Sequence, residues 1–334
     1  MTLETFTTER DGRVLTVLFD VPPHNFMGRQ MVRELDGLTR SLRRDRSIRA
    51  VILTGAREGV FVTHYEIEEI LAGAEGVGPP APRPAAAALV RAAGGVKHVP
   101  GVRALVERTP VRGLLELHRV HDLFRRMNRS DKIYIAAING PATGGGCELA
   151  LASDLRYMAD DDSLRIGLPE MTIGLPPGAG GSQRLARALG SSRALEMMLE
   201  GRTLTPAEAQ YFGLVHGLAP AGSLRAAATE AAHRVAQRSP EAVRALKRSV
   251  YDGSADGFEK GLARERELFL WAGGASPARR GMRAFTEAIR GGGASPWADA
   301  EKLAPWQCGE VVDLGSPPPS AAGQPRREKG RGRA

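Results

Sequence analysis

The sequence predicts a layered α/β body. Three observations carry that expectation: short, wholly apolar runs suited to buried strands, helical stripes between them, and glycine-rich turns at strand-to-helix junctions. Thr5–Arg10 and Arg13–Phe19 alternate loosely on either side of Asp11-Gly12, a pair that favours the left-handed dihedrals of a tight hairpin. Met31, Leu35, Leu38 and Leu42 fall on one face of a helix, with Arg, Glu and Asp between them. Ala50–Thr54, stopped by Gly55, reads as a buried strand, and Lys132–Asn139 as another, followed by a glycine-rich turn and an apolar helix from about Cys147.

Residues 73–130 break this rhythm. Pro79, Pro80, Pro82 and Pro84 make a stiff stretch, Ala85–Ala88 opens a short helical segment, and Val111, Leu114, Leu115, His118, Leu123 and Met127 form a looser helical stripe. The block is expected to be an Arg/Pro-rich insertion, part loop and part helix. Farther on, Thr205-Pro206-Ala207-Glu208 forms a capping box with proline at the first helical position, and Gly213 is placed to end that helix. Helices are expected near 222–237, 240–250, 256–271 and 277–289. The resulting division is a core over 1–220, a helical part over 221–290, and a low-complexity, disordered tail over 291–334 that ends PPPSAAGQPRREKGRGRA.

Composition limits the function. With 334 residues and 42% hydrophobic content the chain buries a core without needing a metal or disulfide. Cys147 and Cys308 are the two cysteines, with no CxxC and no Cys/His cluster, which fits a reducing, cytoplasmic setting and no bound metal. No signal peptide is expected, and no run approaches the roughly 20 apolar residues of a membrane helix. The net charge of +8 invites a nucleic-acid reading, but aromatics are only 5%. The charge is also local. Residues 71–130 hold ten Arg or Lys against four Asp or Glu, and 318–334 hold five against one, so the rest is close to neutral. An RNA partner is therefore not expected, and an Arg-rich insertion beside a binding site would instead attract anionic groups of a ligand.

Candidate chemistry sits on the glycine-rich turns. Ala142-Thr143-Gly144-Gly145-Gly146-Cys147-Glu148 follows a strand and opens a helix, so its backbone amides can approach a ligand closely. A phosphate cradle and an oxyanion hole for an enolate both fit, as does a turn that only packs helix on strand. Neither GxxxxGK[ST] nor GxGxxG is present. Glu148 alone is an ordinary helix-dipole partner worth about 0.3–1 kcal/mol. Glu170, in Ile166-Gly167-Leu168-Pro169-Glu170, precedes a second glycine-rich loop over 174–181, and alone is an ordinary loop acid. Together the two acids can hold one water and manage its protons. Phe61-Val62-Thr63-His64-Tyr65-Glu66 can supply a second oxyanion amide. His64 has a side chain able to titrate near neutral pH, although a lone histidine is more often structural. Cys147 reads as a small packed residue.

These segments together resemble the enoyl-CoA hydratase/isomerase (crotonase) superfamily. The matching stretches are DRSIRAVILTG (45–55), IAAINGPATGGGCELALASDLRYMA (135–159), IGLPEMTIGLPPGAGGSQRLARALG (166–190), TLTPAEAQYFGLV (203–215), GLARERELF (261–269) and ARRGMRAFTEAIR (278–290). The likeness spans about residues 5–290 apart from the insertion. It implies a ββα spiral core with a C-terminal helical part over 221–290 that assembles trimers or dimers of trimers. It also implies an acyl-CoA substrate, with coenzyme A as part of the substrate and no other cofactor. The shared chemistry is a thioester enolate held by two backbone amides, here those of Tyr65 and Gly145. The hydratase acids match Glu148, which would deprotonate the water added at the β-carbon, and Glu170, which would deliver a proton to the α-carbon. Substrate contacts would come from Pro23, His24, Thr63, His64, Glu66, Ile67, Thr143, Gly144 and Pro169.

The chain departs from the family where Gly-Ala-Asp is usual, reading His64-Tyr65-Glu66, and where Lys-Pro-Val is usual, reading Lys132-Ile133-Tyr134; its insertion is also longer. The expected activity is hydration of a 2-enoyl-CoA, or its reverse. The alternatives are another enolate fate (isomerisation, decarboxylation or thioester hydrolysis) and a non-catalytic RNA-binding scaffold.

Overall fold

β1 (Phe6–Asp11) and β2 (Val14–Phe19) form the predicted hairpin, Phe6 opposite Phe19 and Asp11 opposite Val14. Its two-residue loop is Gly12-Arg13, one place later than expected: Asp11 still closes the ladder, and Gly12 takes the positive φ of 55°. The structure, a computed structural model, describes residues 3–76, 81–96, 100–106, 109, 112–236, 240–248, 250, 251, 259, 269, 270, 273, 274, 276–290, 294–307 and 310–312.

After α1 (Arg29–Leu42), which buries Met31, Leu35 and Leu42, the chain enters β3 (Ala50–Gly55), all six residues buried. β3 lies parallel to β2 and to β4 (Ile133–Ile138), with Ala50 beside both Val14 and Ile133. β6 (Leu155–Ala159) and β9 (Gly217–Ala219) continue the sheet, in the order β1-β2-β3-β4-β6-β9. Strands covered on both faces need continuous apolar runs, which AVILTG and IYIAAI supply. Each fully buried Val, Leu, Ile or Phe among them contributes about 1.5–3 kcal/mol.

A smaller sheet carries the chemistry. β5 (Ala142–Thr143) pairs parallel with β7 (Ile166–Gly167), and β7 antiparallel with β8 (Thr203–Leu204). Thr143 therefore stands beside Gly167, and the turns leaving these strands run side by side. One leads into α6 (Gly145–Ala152), the other into a 3-10 turn over Glu170–Ile173 and then α7 (Gly181–Leu189).

Among its described residues the insertion is mostly helical: α2 (Ile67–Gly76) runs into it, and α3 (Arg83–Val96), α4 (Pro100–Val106) and α5 (Arg112–Asn128) lie within it. It is not set apart from the core, because Val120, Leu123, Phe124 and Met127 of α5 repeat at helical spacing and join the main cluster. After α8 (Ser191–Glu200), α9 (Pro206–Tyr211) starts at the capping box, and Gly213 follows it with φ of 76°.

Position 220 does not separate two packing units. α10 (Leu224–Val235) lays Leu224, Ala228 and Ala232 into the main core, against β3 and β4. α11 (Pro240–Arg248) is fastened by Lys247, whose ammonium donates to Met127 O at 2.8 Å, Lys132 O at 2.7 Å and Asp154 Oδ2 at 2.6 Å. The helix expected at 256–271 lies almost entirely outside the described residues, and Ser276–Ile289 is a helix.

The expectation of a disordered tail is corrected over 294–307. Pro296–Ala298 is a 3-10 turn, Ala300–Gln307 a helix, and Trp297, Leu303 and Trp306 are buried with Ile173, Leu175, Met282 and Phe285. A run of three glycines precedes that stretch, but its two tryptophans supply enough apolar surface to hold it down. Residues 313–334 lie outside the described residues.

Candidate active site

The first turn of α6 is shaped by close backbone approach. Thr143 N–H donates to Thr63 O at 2.7 Å and Gly144 N–H to Gly167 O at 2.9 Å, fixing the strand end against both neighbouring loops. Gly144 adopts φ of 51°. A Cβ on Gly145 would stand 2.9 Å from Tyr65 N and 2.8 Å from Met27 Cε, so only glycine fits there. The Gly145 amide, in the first helical turn, has no acceptor one turn back within its own helix.

The opposing loop is held by a parallel bridge between Met27 and Tyr65. Met27 N–H donates to His64 O at 2.8 Å, and Glu66 N–H to Met27 O at 3.3 Å. That pattern uses the amides of residues 27 and 66 and turns the Tyr65 amide to the other side, towards Gly145. The two amides predicted to form the oxyanion hole are thus brought together.

Glu148 is buried in that first helical turn. Its Oε1 accepts from Ala179 N at 2.7 Å and Gly181 N at 2.8 Å, so the 174–181 loop fixes the carboxylate. The loop is held in turn: His121 Nε2 donates to Gly178 O at 2.7 Å, and Arg184 Nη1 to Ala179 O at 2.9 Å. Glu170, also buried, opens its 3-10 turn after Pro169. Its Oε1 lies 3.4 Å from where a Cβ on Gly144 would stand, across the same turn. Cys147 immediately precedes Glu148 in sequence. Burial, then the charges of Glu170 and Glu148, push its thiol well above the usual range, so it is a packed thiol and not a nucleophile.

His64 is not a proton carrier here. It is fully buried, stacked on Phe26 at 4.3 Å and edge-on to Trp297 and Phe285 at 5.2 Å each. Its Nδ1 donates to Tyr65 O at 2.7 Å, which leaves Nε2 to accept from the Ser295 hydroxyl at 3.1 Å. Burial pulls its pKa down to about 4, so the ring is neutral at physiological pH.

A cavity of about 210 Å³ opens beside the two amides, and Glu148, Glu170, Tyr65, Gly144, Gly145 and Ile67 are on its wall. The rest of the lining is mainly apolar, with Ile70, Ala86, Leu114, Val120, Leu175 and Trp297, and Arg29, Arg112 and Arg279 among the charged groups. The other predicted contacts stand behind this wall. Thr63 Oγ1 donates to His24 O at 2.7 Å, and Thr63 O accepts from Thr143 Oγ1 at 3.2 Å, so Thr63, Thr143 and His24 stitch loops together. Pro23 is exposed, with its carbonyl accepting from Arg57 Nη1 at 3.0 Å. Glu66 is half-buried, its pKa raised by burial, and Pro169 precedes the 3-10 turn. The prediction of substrate contact is corrected for His64, which the surrounding aromatic rings and Ser295 seal off.

Sequence reasoning missed His121, Arg184, Ser295 and Trp297. The signal for the last was a tryptophan inside a Gly/Ser/Pro-rich stretch, which disorder does not explain.

Comparisons with known proteins show the family. The family model for enoyl-CoA hydratase/isomerase matches residues 113–291. A Mycobacterium bovis protein named "Probable enoyl-CoA hydratase echA8" is 33% identical over 290 residues, 86% of this chain and 96% of that one. The chain belongs to the enoyl-CoA hydratase/isomerase family. A "2,3-dehydroadipyl-CoA hydratase" of Escherichia coli is 39% identical over 165 residues, 49% of this chain and 64% of that one. Among solved structures, Pseudomonas aeruginosa DspI is similar with a TM-score of 0.60 and 28% identity, covering 85% of this chain and 94% of that one. In this family member the two glycine-rich turns, their carboxylates and the apolar cavity form one site.

Proposed function

We propose that the chain hydrates a 2-enoyl-CoA thioester, or dehydrates the corresponding 3-hydroxyacyl-CoA. The observation that carries this reading is two buried carboxylates, Glu148 and Glu170, on one cavity wall with the closely packed Tyr65 and Gly145 backbones. The thioester oxygen accepts from Tyr65 N–H and Gly145 N–H, which stabilise the charge it gains as the enolate forms. Glu148, held by the amides of Ala179 and Gly181, takes a proton from water as its oxygen bonds to the β-carbon. The enolate then collapses and its α-carbon takes a proton from Glu170. The proton on Glu148 passes to Glu170 through the next water, and water has been added across the double bond.

Removing one oxyanion donor in other enzymes costs about 3 kcal/mol, so the pair of amides is the larger part of the rate. A single-acid isomerisation would not require Glu148 to be fixed by two amides, and the proton route through His64 that an alternative fate invoked is closed by its burial.

The supporting setting is also part of the proposal. Coenzyme A enters with the substrate, no other cofactor takes part, and the protein works in the cytoplasm as a homotrimer or dimer of trimers. Among the described residues no helix is long and apolar enough to cross a membrane. Arg112, exposed at the cavity, is the cation best placed for an anionic part of the substrate. Most of the insertion's other described arginines are paired: Arg119 with Glu116, Arg125 and Arg129 with Glu259, Arg126 with Asp36. That pairing lessens the field an RNA or a CoA phosphate would feel.

The test is turnover of crotonyl-CoA followed by loss of its enoyl absorbance. Glu148→Gln and Glu170→Gln are each expected to lower kcat by about 10²–10⁴-fold with the fold intact. Unchanged rates in both would remove the hydratase reading.

A further inference from the structure

The stretch beyond Gly291 reaches the catalytic loops across 231 residues of sequence. Ser295 starts the 3-10 turn, its Oγ accepting from Trp297 N–H at 3.3 Å while donating to His64 Nε2 at 3.1 Å. The turn is thereby fastened to the oxyanion loop, since His64 Nδ1 holds Tyr65 O. Trp297 follows, wholly buried, packed on Phe285 at 4.4 Å and on His64 at 5.2 Å, and it lines the cavity.

Its place relative to the reacting atoms can be located. A Cβ added to Gly144 would be 3.2 Å from Trp297 Cζ3, 3.4 Å from Glu170 Oε1 and 3.5 Å from His64 Cβ. The indole, the Glu170 carboxylate and the residue preceding the Gly145 amide therefore border the same few ångströms. In the hydration proposed above, on which this inference rests, the thioester oxygen lies on the Tyr65 and Gly145 amides and Glu170 must reach the α-carbon, one bond beyond the carbonyl carbon. That carbon falls in the space the indole borders.

We propose that Trp297 is the wall against which the α-carbon of the acyl group packs, and that it selects thioesters unsubstituted at that carbon. A methyl group there would need the volume the ring occupies. The ring is pinned by Phe285 and His64, and a close-packed wall does not yield by a methyl radius. A pocket of this kind discriminates one extra carbon by about 10–200-fold.

The experiment uses the full chain with Trp297→Ala and, as a milder variant, Trp297→Phe. Hydration is measured with 2-butenoyl-CoA and 2-methyl-2-butenoyl-CoA, and binding with their saturated counterparts, butyryl-CoA and 2-methylbutyryl-CoA. The wild type is expected to favour the unbranched member of each pair, and the ratio to fall about tenfold in Trp297→Ala and partway in Trp297→Phe. Both members are read on one preparation, so any loss of folded protein cancels. Ratios unchanged in both variants overturn the proposal. If the saturated pair shows the predicted shift while neither enoyl thioester is hydrated, the hydratase reading falls and the Trp297 wall stands. If the wild type hydrates and the ratios do not move, the converse holds.

Discussion

The two amides proposed to form the oxyanion hole are positioned by different strategies. Gly145 is placed by backbone alone: its helix starts where β5 ends, and the missing side chain lets the Tyr65 loop come within contact. Tyr65 has a backbone bridge to Met27 and, beyond it, side chains drawn from far apart in sequence, because its neighbour His64 is wedged among Phe26, Phe285, Trp297 and Ser295. The first solution tolerates almost no substitution at the turn itself. The second shifts the constraint onto a distant segment, so the loop sequence can depart from Gly-Ala-Asp while its amide stays in place.

The sharpest way to break this contrast is Gly145→Ala. Its methyl group would meet Tyr65 N and Met27, separating the two amides, and kcat is expected to drop about 10²–10³-fold with far-UV circular dichroism unchanged. A drop below threefold would mean that the amides do not act as a pair. A smaller effect is expected from Arg184→Met, which removes the donor to Ala179 O and loosens the loop that holds Glu148. kcat should fall roughly tenfold with KM little changed, since an ångström of misplacement costs up to about 10²-fold. A rise in KM alone would show that the loop serves binding.

The smallest effect concerns stability. The buried His64 has a folded-state pKa of about 4 against an ordinary 6.5. Above pH 6.5 both folded and unfolded states carry it neutral, and its contribution is flat. Between pH 6.5 and 4 the unfolded state binds a proton that the folded state refuses, so stability falls as pH falls. The full loss is about 3 kcal/mol, reached near the folded pKa. Urea titrations across this window should show that slope in the wild type and a shallower one in His64→Gln. Identical slopes would place the ring in contact with water.

Much of the backbone-built half was readable in advance. Asp11-Gly12, the AVILT and IYIAAI runs, the capping box at Thr205 and the glycine turns all act through local dihedrals and burial periodicity, which a single sequence displays. Glu148 and Glu170 were legible because each sits next to such a turn. The side-chain half was not. His64 reads as an isolated histidine, and its meaning depends on Ser295 and Trp297, which lie in a stretch whose composition suggests disorder. The boundary at 220 failed for a related reason: α10 looks like the start of a helical run, and only its alanine face against the sheet shows that it belongs to the core.

α5 links the two halves. It lies within the insertion of residues 73–130; its first turn, with Arg112 and Leu114, lines the cavity, while His121 in its middle anchors the loop that orients Glu148. One helix thus ties the lining of the cavity to the loop that fixes Glu148, so a shift of its axis reaches both at once.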